Sequence, residues 1–492
     1  MSNEYLYGAY GHLGQTVAQS SVQAGTVPVY FGVAPVNLVR GYAKAGVINT
    51  PVKLSNMPHV NRTVGYAKDW SVFSLCEPFA AHFNNPNGNI GPIYIINVLD
   101  PDIHRKVEAT NVNLAFSNGQ ATIKSETIIL DTLALEEKAE GVDYSVDYNF
   151  TKGTVVISSL GEKITGTVSA SYFEIDMTNV DADAVIGGVS ANGVYTGIGA
   201  LQTVYIKHNV VPNLLAAPGW SDKPAVYNAL CNAARDINGH WQALVCADIP
   251  LVSADGTTVD TIEKAKTWKN DNSYVVENSK VFFPQGKGAD GNIYHMSTFA
   301  VVEFMRADNS HNQIPMETCG NKVIPVVAQY FGENVKNQGF DQITASQLTQ
   351  YGISTLVFWG GNWVLWGDHT AAYQYGKDID PRCIFDVSIR MLYHIVNSFQ
   401  REWGIVIDEP FTKQLRDRIM NREQEKLDSL VAQGALIGSP KILFLESENS
   451  TTDMMNGDFR WDIPATPTPP LKSATVYVAY TDAGFSVYFD EE

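Results

Sequence analysis

Charge is scarce in this sequence of 492 residues: only 17% of its side chains are Asp, Glu, Lys or Arg, against 45% that are hydrophobic. That ratio excludes a disordered chain and leaves a surface poorer in charge than most soluble monomers carry, the kind of surface that often meets protein. Basic residues are the scarcer sign, 34 against 52 acidic, and the net charge of -18 argues against a general nucleic-acid binder, because phosphate contacts need clustered Lys and Arg. Cysteine is scarce too. Cys76, Cys231, Cys246, Cys319 and Cys383 lie far apart, so there is no CxxC pair for redox or zinc chemistry, and an odd number of buried free thiols suits a reducing cytoplasm. No stretch approaches the roughly 18 uninterrupted apolar residues of a membrane span, so no membrane insertion is expected. The start, MSNEYLYGAYGHL, lacks the basic and apolar regions of a signal peptide, and the chain is expected to stay in the compartment where it is made.

Catalytic motifs are equally hard to find. There is no GxxxxGK[ST] loop, no HExxH helix and no GxSxG elbow. Gly286, Gly288 and Gly291 satisfy GxGxxG, but no helix N-terminus follows to hold a pyrophosphate. Asp248 sits at the end of an expected strand, where open α/β sheets present reactive groups, and Asp368 and His369 are adjacent, although neighbours on a strand point to opposite faces. The ten histidines show no metal-ligand spacing. No catalytic residue, cofactor or metal is expected.

What is present reads as several domains, since a chain of this length suggests two to four units of about 100–200 residues. Residues 1–27 are rich in Tyr, Gly, Gln and Ser and read as an N-terminal arm. "VPVYFGVAP" and "GPIYIINVLDP" are buried strands, and from Leu214 a βαβ unit follows: strand, helix, then a strand over Ala243–Ala247. Ser221 is its expected N-cap, Pro224 lies in its first turn and Gly239 ends it. Further helix and strand alternation through residue 372 predicts a mainly parallel sheet, so residues 28–99 and 192–372 form an α/β core. Residues 100–191 alternate apolar and polar side chains between Asn-Gly and Lys-Gly turns, the pattern of an inserted all-β domain.

"ISTLVFWGGNWVLWG" predicts a tight hairpin turning at Gly360 and Gly361, with Phe358, Trp359, Trp363 and Trp366 as cross-strand neighbours. In the C-terminal α+β domain, 373–463, Asp380 and Pro381 are expected to open a long helix that runs to Gly404. A second helix turns Leu415, Ile419, Leu430 and Val431 inward and Lys413, Arg416, Arg418, Arg422 and Lys426 outward. Residues 464–492 hold four prolines in "DIPATPTPPLKSA", a stiff linker, and then two expected strands. Val476, Val478 and Tyr480 share one face of the first, and Phe485, Val487 and Phe489 one face of the second.

"AVIGGVSANGVYTGIGAL", "NLLAAPGWS", "ADIP", "LTQYGISTLVFWGGNWVLWGDHTA", "DEPFTKQLRDRI" and "GALIGSPK", in this order, resemble the contractile tail sheath proteins of bacteriophages, R-type bacteriocins and related contractile injection systems. The resemblance covers most of the chain outside residues 100–180. It implies a structural subunit that polymerises as hexameric rings stacked helically around an inner tube. Baseplate and tail terminator proteins are further implied partners, in a virion tail or contractile particle assembled in the bacterial cytoplasm. It also implies that the terminal arms exchange strands between subunits, here around Tyr5 and Tyr7 and the six C-terminal residues above. Lys413, Arg416, Arg418 and Arg422 would face the tube. Two other readings of the residues are an α/β hydrolase-like enzyme and another self-assembling protein, such as a capsid or surface-layer component.

Overall fold

A computed structural model describes residues 25–161, 164–333 and 335–489. Tyr5 and Tyr7 therefore lie outside the described residues. In chain order the first strands are β1 (Pro28–Gly32), β2 (Pro51–Leu54) and β3 (Ile93–Asn97), with helix α1 (Cys76–Phe83) before β3. Six strands of the insertion follow: β4 (Thr110–Phe116), β5 (Gln120–Ile123), β6 (Ala134–Leu135), β7 (Tyr144–Asn149), β8 (Thr154–Ser159) and β9 (Gly166–Tyr172). The chain then returns through β10 (Leu214–Ala216), α2 (Pro224–Ala233), β11 (Leu244–Asp248), α3 (Ile262–Asp271), β12 (Ser279–Phe282), β13 (Gln285–Gly288), β14 (Ile293–Tyr294), α4 (Met296–Ser310), β15 (Val326–Tyr330), α5 (Gln342–Thr349), β16 (Ile353–Trp359) and β17 (Asn362–Trp366).

One eight-stranded sheet organises the core, in the order β17-β16-β12-β11-β10-β1-β3-β2. From β16 to β3 every pair is parallel, with Pro28 opposite Leu214, Leu214 opposite Leu244 and Val281 opposite Ile353; β2 and β17 run antiparallel at the two edges. Parallel strands are covered on both faces, so they read as continuous apolar runs, and β1, β3, β10 and β11 are buried at every position. The mainly parallel sheet read from the sequence is present. Its helix α2 differs in detail: Lys223 occupies the N-cap, Ser221 instead accepts the Asp248 amide at 3.3 Å, and the helix ends at Ala233. Gly239, at φ 71°, serves a later turn that closes Ile237 onto Trp241.

The insertion forms two three-stranded antiparallel sheets, β4-β9-β6 and β5-β8-β7. Alternate residues point inward, Tyr144 and Val146 from β7 meeting Val155 and Ile157 from β8. The buried Asn37 side chain fastens it to the core, donating to the carbonyls of Glu126 at 3.0 Å and Ile128 at 2.9 Å.

Beyond the sheet come α6 (Asp386–Trp403), α7 (Lys413–Ala432), and the short strands β18 (Leu436–Ile437) and β19 (Thr466–Pro467), which pair with each other. Met391, Ile395, Trp403, Leu415, Ile419, Leu427, Leu430 and Leu436 form a second hydrophobic core. Thr412 caps α7 by accepting the Leu415 amide at 3.1 Å. The long helix starts later than its Asp-Pro signal suggests: Asp380 caps a 3-10 turn over Pro381–Cys383, and α6 begins at Asp386. The C-terminal segment also departs from expectation. Among the described residues, Val476, Val478 and Tyr480 belong to no ladder, and Ala483–Phe489 is a 3-10 helix in place of a second strand. A lone strand leaves its backbone groups without partners, and local bonds such as Phe485 N–H to Asp482 C=O, 2.9 Å, satisfy some of them.

Candidate assembly surfaces

In an open α/β sheet a ligand site lies where the strand order reverses, outside the carboxyl ends of the strands. Here that point is between β1 and β10, and the chain's own side chains fill it. Trp220 Nε1 donates to Ser74 Oγ at 3.0 Å, and the same oxygen accepts the Val33 amide at 3.1 Å. Buried Glu77 accepts the His295 amide at 2.8 Å and the Thr298 hydroxyl at 2.6 Å, with His295 Nδ1 2.7 Å from its other oxygen. Burial opposes the His295 charge, but the Glu77 carboxylate overrides it and holds the imidazole up to about 9. The other ring nitrogen contacts Gln285 at 2.9 Å, so both are engaged. Asp248 takes the Ser297 amide at 3.0 Å and its hydroxyl, which makes it a cap for α4; burial pushes its carboxyl up to about 6. The amide and the hydroxyl of Ser297 both end on this one buried carboxylate, which ties the start of α4 to the end of β11.

The glycine motif is packing as well. Gly286 and Gly288 lie in β13, and a Cβ on Gly286 would stand 2.8 Å from Met296 Cε. Gly291, at φ 86°, turns the chain. Among the described residues, no group of three or more His, Cys, Asp or Glu is placed to hold a metal ion, all five cysteines are buried and free, and no helix is long and apolar enough to cross a membrane.

The aromatic stretch is a hairpin, with Gly360 and Gly361 at φ 59° and 84° as a two-residue turn of this kind requires. Phe358 pairs with Trp363 at 5.7 Å between ring centroids, and Trp359 faces Trp366 at 6.3 Å. Phe358 and Trp359 remain more than half exposed, so the hairpin tip presents apolar rings to the outside. The following Asp368-His369-Thr370 turn grips the start of α6. His369 stacks on Tyr373 at 3.5 Å and on Phe385 at 5.2 Å, its Nδ1 meets the Ile384 carbonyl at 2.9 Å, and Thr370 Oγ1 donates to the Cys383 carbonyl. Burial pulls His369 down to about 4, and its Nε2 is 3.6 Å from Asp368, beyond hydrogen-bond reach.

Of the sequence-derived assembly residues, Val476, Val478 and Tyr480 are 81%, 90% and 85% exposed, and Phe485 and Val487 are exposed with them. Their linker is anchored: Thr466–Pro467 pairs with Leu436–Ile437, and Lys472 Nζ lies 5.8 Å over the Tyr373 ring. The basic residues of α7 stand among acids. Arg416 pairs with Asp417 at 2.6 Å, Arg418 with Glu409 at 3.8 Å, and Arg422 with Glu402 at 3.1 Å. Lys413 is exposed at the first position of the helix.

Two buried ion pairs carry no sequence signal. Lys280 meets Asp386 at 2.7 Å, and Arg390 meets Asp308, in each case between residues far apart in the chain.

These features make up a parallel-sheet core with an inserted β unit, a helical second core and a C-terminal segment unpaired among the described residues. The solved 6-fold baseplate of the anti-feeding prophage matches 97% of this chain and 99% of its own at a TM-score of 0.55 and 13% identity. The contracted sheath of an extracellular contractile injection system, PVC, matches 98% and 99% at 0.53 and 13%. No family model matches the chain. Among curated relatives, the tail sheath protein of Burkholderia phage BcepMu is 24% identical over 96% of each chain. The resemblance to contractile tail sheath proteins therefore extends over nearly the whole chain, and sheath proteins are structural subunits, not enzymes.

Proposed function

We propose that this chain is the structural subunit of a contractile sheath. Copies polymerise as stacked hexameric rings around an inner tube, and contraction of the lattice drives the tube through a target cell envelope. The observation that carries the reading is a sheath-like fold over nearly the whole chain joined to an exposed apolar C-terminal segment, residues 476–488, that pairs with no strand among the described residues. Such a segment suits strand addition to a neighbour, where backbone bonds give strength and alternate side chains give register. Val476, Val478 and Tyr480, with Phe485, Val487 and Phe489, form the donated C-terminal arm, and the region of Tyr5 and Tyr7 forms the N-terminal one. A head-to-tail contact that does not close generates a helix, as a sheath needs.

On this reading Lys413, Arg416, Arg418 and Arg422 face the tube, and baseplate and terminator proteins bound the lattice at its ends. The particle is a virion tail or a related contractile device, assembled in the bacterial cytoplasm. Removing residues 474–492 tests the arm: the truncated chain is expected to stay folded, because residues 474–488 are exposed, and no longer to polymerise. Unfolding on truncation would place the segment in the chain's own core. The triple variant Arg416→Glu, Arg418→Glu, Arg422→Glu is expected to fold but to lose binding to the tube protein, most visibly at low salt; binding unchanged at every ionic strength would remove the tube-contact assignment.

A further inference from the structure

The two buried ion pairs stand one turn apart on α6, and the second is shared with the root of the N-terminal arm. Asp386 meets Lys280 of β12 with both side chains fully buried. Four residues on, Arg390 forks onto Asp308 near the end of α4: Nη1 is 3.2 Å from Oδ1, Nη2 donates to Oδ2, and the guanidinium lies 4.2 Å over Phe304. Only 4% of the Arg390 side chain and 1% of the Asp308 side chain are accessible.

The same Oδ2 also accepts the hydroxyl of Thr26 at 2.5 Å. Around it, the Thr26 amide donates to Gln313 Oε1 at 3.2 Å and the Val27 amide to Asn213 Oδ1 at 2.9 Å, immediately before β1 begins. Three parts of the molecule thus meet on one carboxylate: the residue from which the N-terminal arm departs, the helix that backs the parallel sheet, and the helix that enters the second core. A buried ion pair is stable only while its remaining hydrogen-bonding capacity is satisfied, and groups bonded to one low-dielectric carboxylate strengthen or weaken together. The Thr26 hydroxyl is one of those groups.

We propose that Asp308 is a positioning residue that couples the entry to β1, at Thr26 and Val27, to α6, so that the setting of that entry and the seating of the helix are shared. A pull on the chain at Thr26 passes through Asp308 and Arg390 into the helix that carries the second core, and a shift of that helix loosens Thr26 and Val27. The use of this coupling in a lattice rests on the sheath reading. The coupling itself belongs to the single chain, and its test needs no assembly.

The experiment is hydrogen exchange read by mass spectrometry on the full-length chain, at a dilution where it is monomeric. Thr26→Val keeps the shape and removes the hydroxyl; exchange is expected to rise about tenfold in residues 25–28 and also in residues 387–394 of α6, with Thr26→Ser restoring both. Because coupling is reciprocal, Arg390→Lys, which keeps the charge but loses the fork, is expected to raise exchange in residues 25–28. Exchange in 387–394 that ignores Thr26→Val, or exchange in 25–28 that ignores a folded Arg390→Lys, would overturn the proposal. If Arg390→Lys does not fold, the α6 response to Thr26→Val and its rescue by Ser decide alone. Failure of the wild-type chain to polymerise would count against the sheath reading and leave these results standing.

Discussion

At the scale of single residues, several groups that look like chemistry are holding the fold together. His369 is the clearest case: its ring lies between Tyr373 and Phe385, and burial pulls it down to about 4 against an ordinary value near 6.5. A histidine with a lowered folded pKa is neutral in the native state and protonated in the unfolded one between those two values. Its stabilising effect is therefore complete above about pH 6.5 and is lost as pH falls toward 4. His369→Gln is expected to destabilise the chain at pH 7, and the gap to wild type to narrow below pH 6.5 by up to about 1.4 kcal/mol per pH unit, measured by denaturant melts along a pH series. A constant gap would mean that the ring titrates alike in both states. The Lys280–Asp386 pair gives a second expectation. Asp386→Asn leaves an ammonium buried without its counter-charge, so denaturation should show a loss of about 3–5 kcal/mol; a loss below about 1 kcal/mol would show that water reaches the site.

At the scale of elements, the sequence was most legible where one periodicity rules. β1, β3 and β11 are uninterrupted apolar runs because both of their faces are covered, and the Gly360-Gly361 turn is visible because few other residues take its backbone angles. Replacing both glycines by Val is expected to cost about 2–4 kcal/mol, read by thermal melting, since each left-handed position costs a side chain about 1–2 kcal/mol. Helix starts were less legible. Asp380-Pro381 is a sound start signal that a 3-10 turn used, and Ser221 and Lys223 both lie before Pro224, so local chemistry alone did not choose between them. The terminal strands failed for a different reason: alternation at Val476, Val478 and Tyr480 reports what the segment can pair with, while its conformation in one chain depends on whether an edge is within reach. The convergence on Asp308 had no local trace at all, because Thr26 and Arg390 lie far from it in sequence and polar residues of these types are common everywhere.

At the scale of the whole molecule, two hydrophobic cores stand side by side. The parallel sheet and its helices form one core, α6 and α7 form another, and buried ion pairs join them, while the apolar C-terminal segment extends outside both. Well-packed cores rearrange by moving against one another more readily than by deforming inside, which is what the proposed sheath lattice would need in order to contract. The most direct measurement is negative-stain electron microscopy of the purified full-length chain with its candidate tube protein, beside the chain lacking residues 474–492. The account predicts hollow, axially striated cylinders from the full chain and dispersed monomers from the truncated one. Closed shells or flat sheets with no axial channel, or equal polymerisation of both chains, would contradict it.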